Sequence, residues 1–127
     1  MGLDQYARYC PANLIGDKHI GFEEVVGDTG KEFFYWRKHP GLQGWMEKLY
    51  KTKGGTDEFN CVVVRLDEAD LAALENDIKR NGLPQTSGSF FGAMRDTYDQ
   101  DEEDLRFITQ ARDLIASGFA VFYTSWR

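Results

Sequence analysis

Tyr35, Trp36, Arg37, Lys38 and His39 stand in one stretch, Phe90 and Phe91 share a glycine-bearing segment with Thr86 and Ser87, and Tyr123 and Trp126 lie near the end of the chain. Flat aromatic faces stack on nucleobases, and guanidinium and ammonium groups meet phosphates. On these types, Tyr35, Trp36, Arg37, Lys38, Thr86, Ser87, Phe91, Tyr123 and Trp126 are expected to line a pocket for a small anionic ligand such as a nucleotide. The competing expectation is core packing, because strand aromatics are buried far more often than they touch ligand.

Catalytic signatures are missing. The sequence holds no Gly-x-Gly-x-x-Gly, no Gly-Lys-Ser/Thr phosphate loop and no Gly-x-Ser-x-Gly elbow. Ser87 and Ser89 sit on a glycine loop, but a serine nucleophile needs a base within hydrogen-bond reach, and the chain has only His19 and His39. With two histidines in the chain a histidine-rich metal site is excluded, and no metal site and no cofactor is expected. The run Asp96, Asp99, Asp101, Glu102, Glu103 and Asp104 lacks the EF-hand rhythm and reads as a solvated helix start. Catalytic residues are accordingly not assigned.

The net charge of −6 comes from 21 acidic against 15 basic residues, which argues against bulk nucleic-acid binding. Lys48, Lys51 and Lys53 after the Arg-Lys-His stretch read as a solvated helix face. Cys10 and Cys61 have no Cys-x-x-Cys partner, and Cys61, within an apolar run, is expected to be a buried small hydrophobe. No window approaches a membrane span and the first residues carry no secretory pattern, so a cytoplasmic protein is expected.

These residues must be positioned by a single α+β domain over residues 1–127, a small, mainly antiparallel sheet with about three helices packed on one face. Residues 3–9 read as a first strand ending at Cys10-Pro11, and residues 22–26 and 32–37 as a hairpin around a glycine turn. Leu42, Trp45, Met46 and Leu49 follow helical spacing after Pro40 and should bury Trp45. Residues 59–66 read as a buried strand. Asp67 and Asp70 cap a helix through Leu71, Leu74 and Ile78 that stops at Asn81-Gly82. From Leu83 to Tyr98 neither period appears. A third helix begins at Asp101 to Asp104, runs through Leu105, Ile108, Ala111, Arg112 and Ile115, and stops at Gly118. Residues 119–126 form a terminal strand, which at a sheet edge would pair with a second copy.

The opening Met1-Gly2-Leu3-Asp4-Gln5-Tyr6, the Tyr35-Trp36-Arg37-Lys38 stretch, the Leu83-Pro84-Gln85-Thr86-Ser87-Gly88 turn with Phe90-Phe91-Gly92, and the closing Phe122-Tyr123-Thr124-Ser125-Trp126 resemble one pattern. It is that of a family of small, uncharacterised bacteriophage and prophage proteins. Members often carry the label phosphoglycerate kinase, which belongs to a much longer, two-lobed enzyme. Ser89 and Arg127 depart from the pattern, each standing where an aromatic is usual. The resemblance implies a viral protein working in the host cytoplasm.

Three functions follow as expectations. The first is capture of a small anionic ligand, a nucleotide or signalling nucleotide, which would counter a bacterial defence. The second is an interaction module whose acidic surface docks on a host protein. The third is a small nucleotide-acting enzyme using Asp4 or Glu32 as base.

Overall fold

The computed structural model describes residues 4–27, 29–37, 39–80 and 93–126, without the side chains of Arg37, Pro40 and 93–101. Among these residues four strands, β1 (Asp4–Pro11), β2 (Lys31–Arg37), β3 (Val63–Leu66) and β4 (Phe119–Trp126), form one sheet in the order β2-β1-β4-β3. Every neighbouring pair is antiparallel. Residues 119–126 are thus a central strand, hydrogen-bonded on both sides to β1 and β3, and offer no edge to a second copy.

Three longer helices, α3 (Pro40–Thr52), α4 (Glu68–Arg80) and α5 (Ala93–Ala116), cover one face of the sheet. Alternation along β4 divides its side chains between two cores. Val121 and Tyr123 join Leu42, Met46, Leu71, Leu74, Phe107 and Ile108, whereas Ala120 and Phe122 pack with Cys10, Ile15, Phe22 and Val26. A bulge in β2 between its pairings with Ala7 and Arg8 lets consecutive residues Phe33 and Phe34 both reach the Phe107 ring, at 5.8 and 5.7 Å between centroids. The α+β class is as expected.

The second core corrects the expected hairpin. Residues 22–26 are not a strand: α1 (Ala12–Ile15) and α2 (Glu23–Val26) are single helical turns on the other face of the sheet. Phe22 and Val26 are both buried, and a spacing of four places residues on one face in a strand as well as in a helix. Backbone geometry decides between them, because Gly27, at φ 50°, donates its N–H to the Glu23 carbonyl and closes a turn. The partner of β2 is consequently β1.

β3 is shorter than the expected 59–66. Cys61 lies in the left-handed region at φ 62° and breaks the extended backbone ahead of Val63. Its side chain is exposed, not buried as expected, while Cys10 is the buried thiol. α4 opens with the expected reciprocal cap: the Asp70 N–H donates to Asp67 Oδ1 at 2.8 Å and the Asp67 N–H to Asp70 Oδ2 at 3.1 Å. Trp45 is half-buried, its Nε1–H donating to Asp77 Oδ2 at 2.8 Å.

α5 begins at Ala93, earlier than the acidic run at which it was expected. Periodicity reports a buried stripe, whereas Ala, Met, Arg and Gln favour a helix without one. Asp104 is therefore a mid-helix residue. It is also fully buried, unlike Glu102 and Glu103 on the solvated side. The helix stop expected at Asn81-Gly82 and the loop through Phe91-Gly92 lie outside the described residues.

Candidate functional site

The register of the sheet gathers expected site residues that are up to 91 positions apart in the chain. Asp4 faces Arg37 on one side and Trp126 on the other, Gln5 faces Trp36 and Ser125, Tyr6 faces Tyr35 and Thr124, and Ala7 faces Tyr123. Tyr35, Trp36, Arg37, Tyr123 and Trp126 therefore meet at one end of the sheet. Lys38, Thr86, Ser87 and Phe91 lie outside the described residues, and of Arg37 only the backbone is placed.

Alternation then separates the described side chains between two faces. Trp36 and Tyr123 point inward and are core residues, packed around Phe107 and Phe59. Each has its polar atom satisfied by protein, as a buried aromatic requires. Trp36 Nε1–H donates to Asp104 Oδ1 at 3.0 Å, and the Tyr123 hydroxyl donates to Gln43 Oε1 at 2.6 Å while accepting from Gln5 Nε2 at 2.8 Å. Burial pushes the Tyr123 hydroxyl well above the usual phenol range, against the opposing hydrogen bonds of Gln5 and Ser125.

Gln5 also clamps the backbone of His39, donating Nε2–H to its carbonyl at 3.0 Å and accepting its N–H on Oε1 at 2.7 Å. The His39 ring donates from Nε2 to Asp104 Oδ2 at 2.7 Å. A carboxylate-oriented imidazole is the pair used in general acid–base chemistry. Here the two side chains are only 8% and 1% exposed, so the pair fastens α5 to the start of α3. Among the described residues, Gln43 Nε2 is buried with no partner.

Gln5, His39, Gln43 and Asp104 were not among the expected site residues, although two of them carried a signal. Gln5 alternates with Ala7 on the inward face of β1, and Gln43 shares a helical face with Met46 and Tyr50. A polar residue on an apolar face asks for a partner.

The opposite, outer face of this sheet end is aromatic and open. Tyr35 is 44% exposed and Trp126 63%, while Tyr6 between β2 and β4 is half-buried. The Tyr6 and Tyr35 rings lie 5.3 Å apart, the Tyr35 hydroxyl donates to Asp4 Oδ1 at 2.7 Å, and the Arg8 guanidinium sits 5.2 Å from the centre of the Tyr6 ring. Of the expected set, Tyr35 and Trp126 are the described side chains that solvent reaches. No protein-family model, curated protein or solved structure matches this chain.

Of the two expected bases, Asp4 accepts from Tyr35 in this patch, and Glu32 is exposed on β2. The lysines divide. Lys51 is exposed and pairs with Glu47, whereas the side chain of Lys53 is 13% exposed and turns inward to Asp70 at 2.5 Å, departing from the expected solvated face.

Proposed function

We propose that the outer face at this sheet end binds a nucleotide-type ligand, its base stacked on Tyr35 or Trp126 and its anionic group drawn toward Arg8 and Arg37. The observation that carries the reading is the pair of exposed large aromatics beside the Tyr6–Arg8 stack, Tyr35 opposite Tyr6 and Trp126 opposite Asp4. Exposed aromatic clusters mark binding surfaces, and a base stacked on an aromatic ring contributes about 1–3 kcal/mol. Guanidinium groups supply charge-assisted hydrogen bonds to phosphate.

The net charge of −6 favours a ligand of few charges over a polyanion. Trp36 and Tyr123 support the platform from beneath instead of contacting the ligand. In the viral setting implied by the resemblance, capture of a signalling nucleotide in the host cytoplasm would blunt a defence response. A host-protein partner is the second reading, favoured by β2 standing at the edge of the sheet beside the exposed aromatics.

The first test is to denature the purified protein and analyse the supernatant by chromatography and mass spectrometry. A nucleotide released from the wild type and depleted in Arg8→Ala supports the reading. A supernatant free of nucleotide, with a stoichiometric protein partner recovered from host lysate at low salt, supports the second.

A further inference from the structure

His19, Asp67 and Asp70 come together beside β3, at the edge of the sheet opposite β2. Each offers one ligand atom, and these atoms lie within 4.8 Å of one another. A cation is already seated among them: Lys53 Nζ donates to His19 Nδ1 at 2.8 Å, to the Arg65 carbonyl at 2.7 Å and to Asp70 Oδ2 at 2.5 Å. One imidazole nitrogen, two carboxylates and a backbone carbonyl are a donor set for a divalent first-row transition ion.

We propose that this cluster is a divalent transition-metal site in which the Lys53 ammonium holds the cation position until a metal ion displaces it. The ligands are fixed by backbone contacts. The Arg65 N–H donates to the His19 carbonyl at 2.8 Å, Ile20 bridges to Val64, and the Arg65 guanidinium donates to the carbonyls of Gly16 and Lys18 at 2.7 and 3.3 Å. Asp67 and Asp70 are held by their reciprocal cap at the start of α4. Such support reduces the ordering cost of binding.

His19 turns Nδ1 toward the same point, accepting there from the Lys53 ammonium at 2.8 Å. Lys53 follows the last residue of α3 and precedes Gly54-Gly55. A depression of about 460 Å³ lined by Asp17, His19, Ile20 and Lys53 gives the displaced side chain room and a new carboxylate at Asp17. Charge favours the exchange: two carboxylates leave a deficit of one positive charge with an ammonium and none with a divalent ion.

The test is calorimetric titration of the wild-type chain, Lys53→Met and His19→Ala with Zn²⁺, with Co²⁺ absorption as a second readout and circular dichroism as the folding control. One equivalent should bind the wild type, with a tetrahedral-type Co²⁺ spectrum. Lys53→Met, with no ion pair to break, should bind about tenfold or more tightly, and His19→Ala at least about tenfold more weakly. Failure of both the wild type and Lys53→Met to bind Zn²⁺ saturably would overturn the proposal, as would unchanged affinity in folded His19→Ala.

Discussion

Replacing Tyr123 by Phe removes one oxygen from a dry core and leaves the ring in place. Gln43 Oε1 then loses the hydroxyl that donates to it at 2.6 Å, and because Gln43 Nε2 already has no partner among the described residues, the whole buried amide is stranded. Gln5 Nε2 keeps its bond to the His39 carbonyl at 3.0 Å, so the cost falls mainly on Gln43. An orphaned buried acceptor costs about 1–3 kcal/mol. For a chain of 127 residues, that lowers the unfolding midpoint by roughly 4–12 °C, at about 4 °C per kcal/mol. Urea unfolding followed by circular dichroism reads the free energy directly. Gln43→Met in the Tyr123→Phe background should regain most of it, since removing both partners avoids the orphan. A Tyr123→Phe variant within about 0.3 kcal/mol of wild type, or a double variant with strictly additive losses, would refute the reasoning.

Asp104→Ala leaves Trp36 Nε1 and His39 Nε2 as buried donors and should cost about 3 kcal/mol or more in urea unfolding, with a changed Trp emission. Cys61→Gly relieves a side chain held at φ 62° on the surface and should stabilise by about 1 kcal/mol; a loss of stability would show that the Cys61 side chain matters. Glu75 is held below the usual carboxylate range by hydrogen bonds from Lys79 and Arg112, so its contribution is full above the ordinary glutamate value of about 4.3 and is lost as pH falls through the lowered folded-state value. The difference in midpoint between wild type and Glu75→Gln should accordingly shrink toward acid pH and with added salt, and a difference that grows toward acid would contradict the assignment.

Local patterns carried the elements whose signals were local. Leu42, Met46 and Leu49 marked α3 by spacing alone, and the Asp67–Asp70 pair marked the start of α4. Phe22 and Val26 misled because a four-residue separation fits both periods, and the left-handed backbone at Cys61 left no trace in an apolar run. The site was legible as a set of residue types but not as a surface. Which of Tyr35 and Trp36 faces solvent depends on which side of the sheet the longer helices cover, and the partners that bury Trp36 and Tyr123 lie 68 and 80 positions away. Only long-range pairing brings Asp4 between Arg37 and Trp126.

On the function proposed above, the open aromatic face takes a nucleotide. The most direct measurement is a thermal-shift panel of mono-, di- and cyclic nucleotides against the wild type and Trp126→Ala, whose exposed side chain the fold does not need. The account predicts that one class of nucleotide raises the wild-type midpoint and that Trp126→Ala, folded as before, loses about 1–3 kcal/mol of the binding free energy. A wild-type midpoint that no nucleotide moves would contradict it.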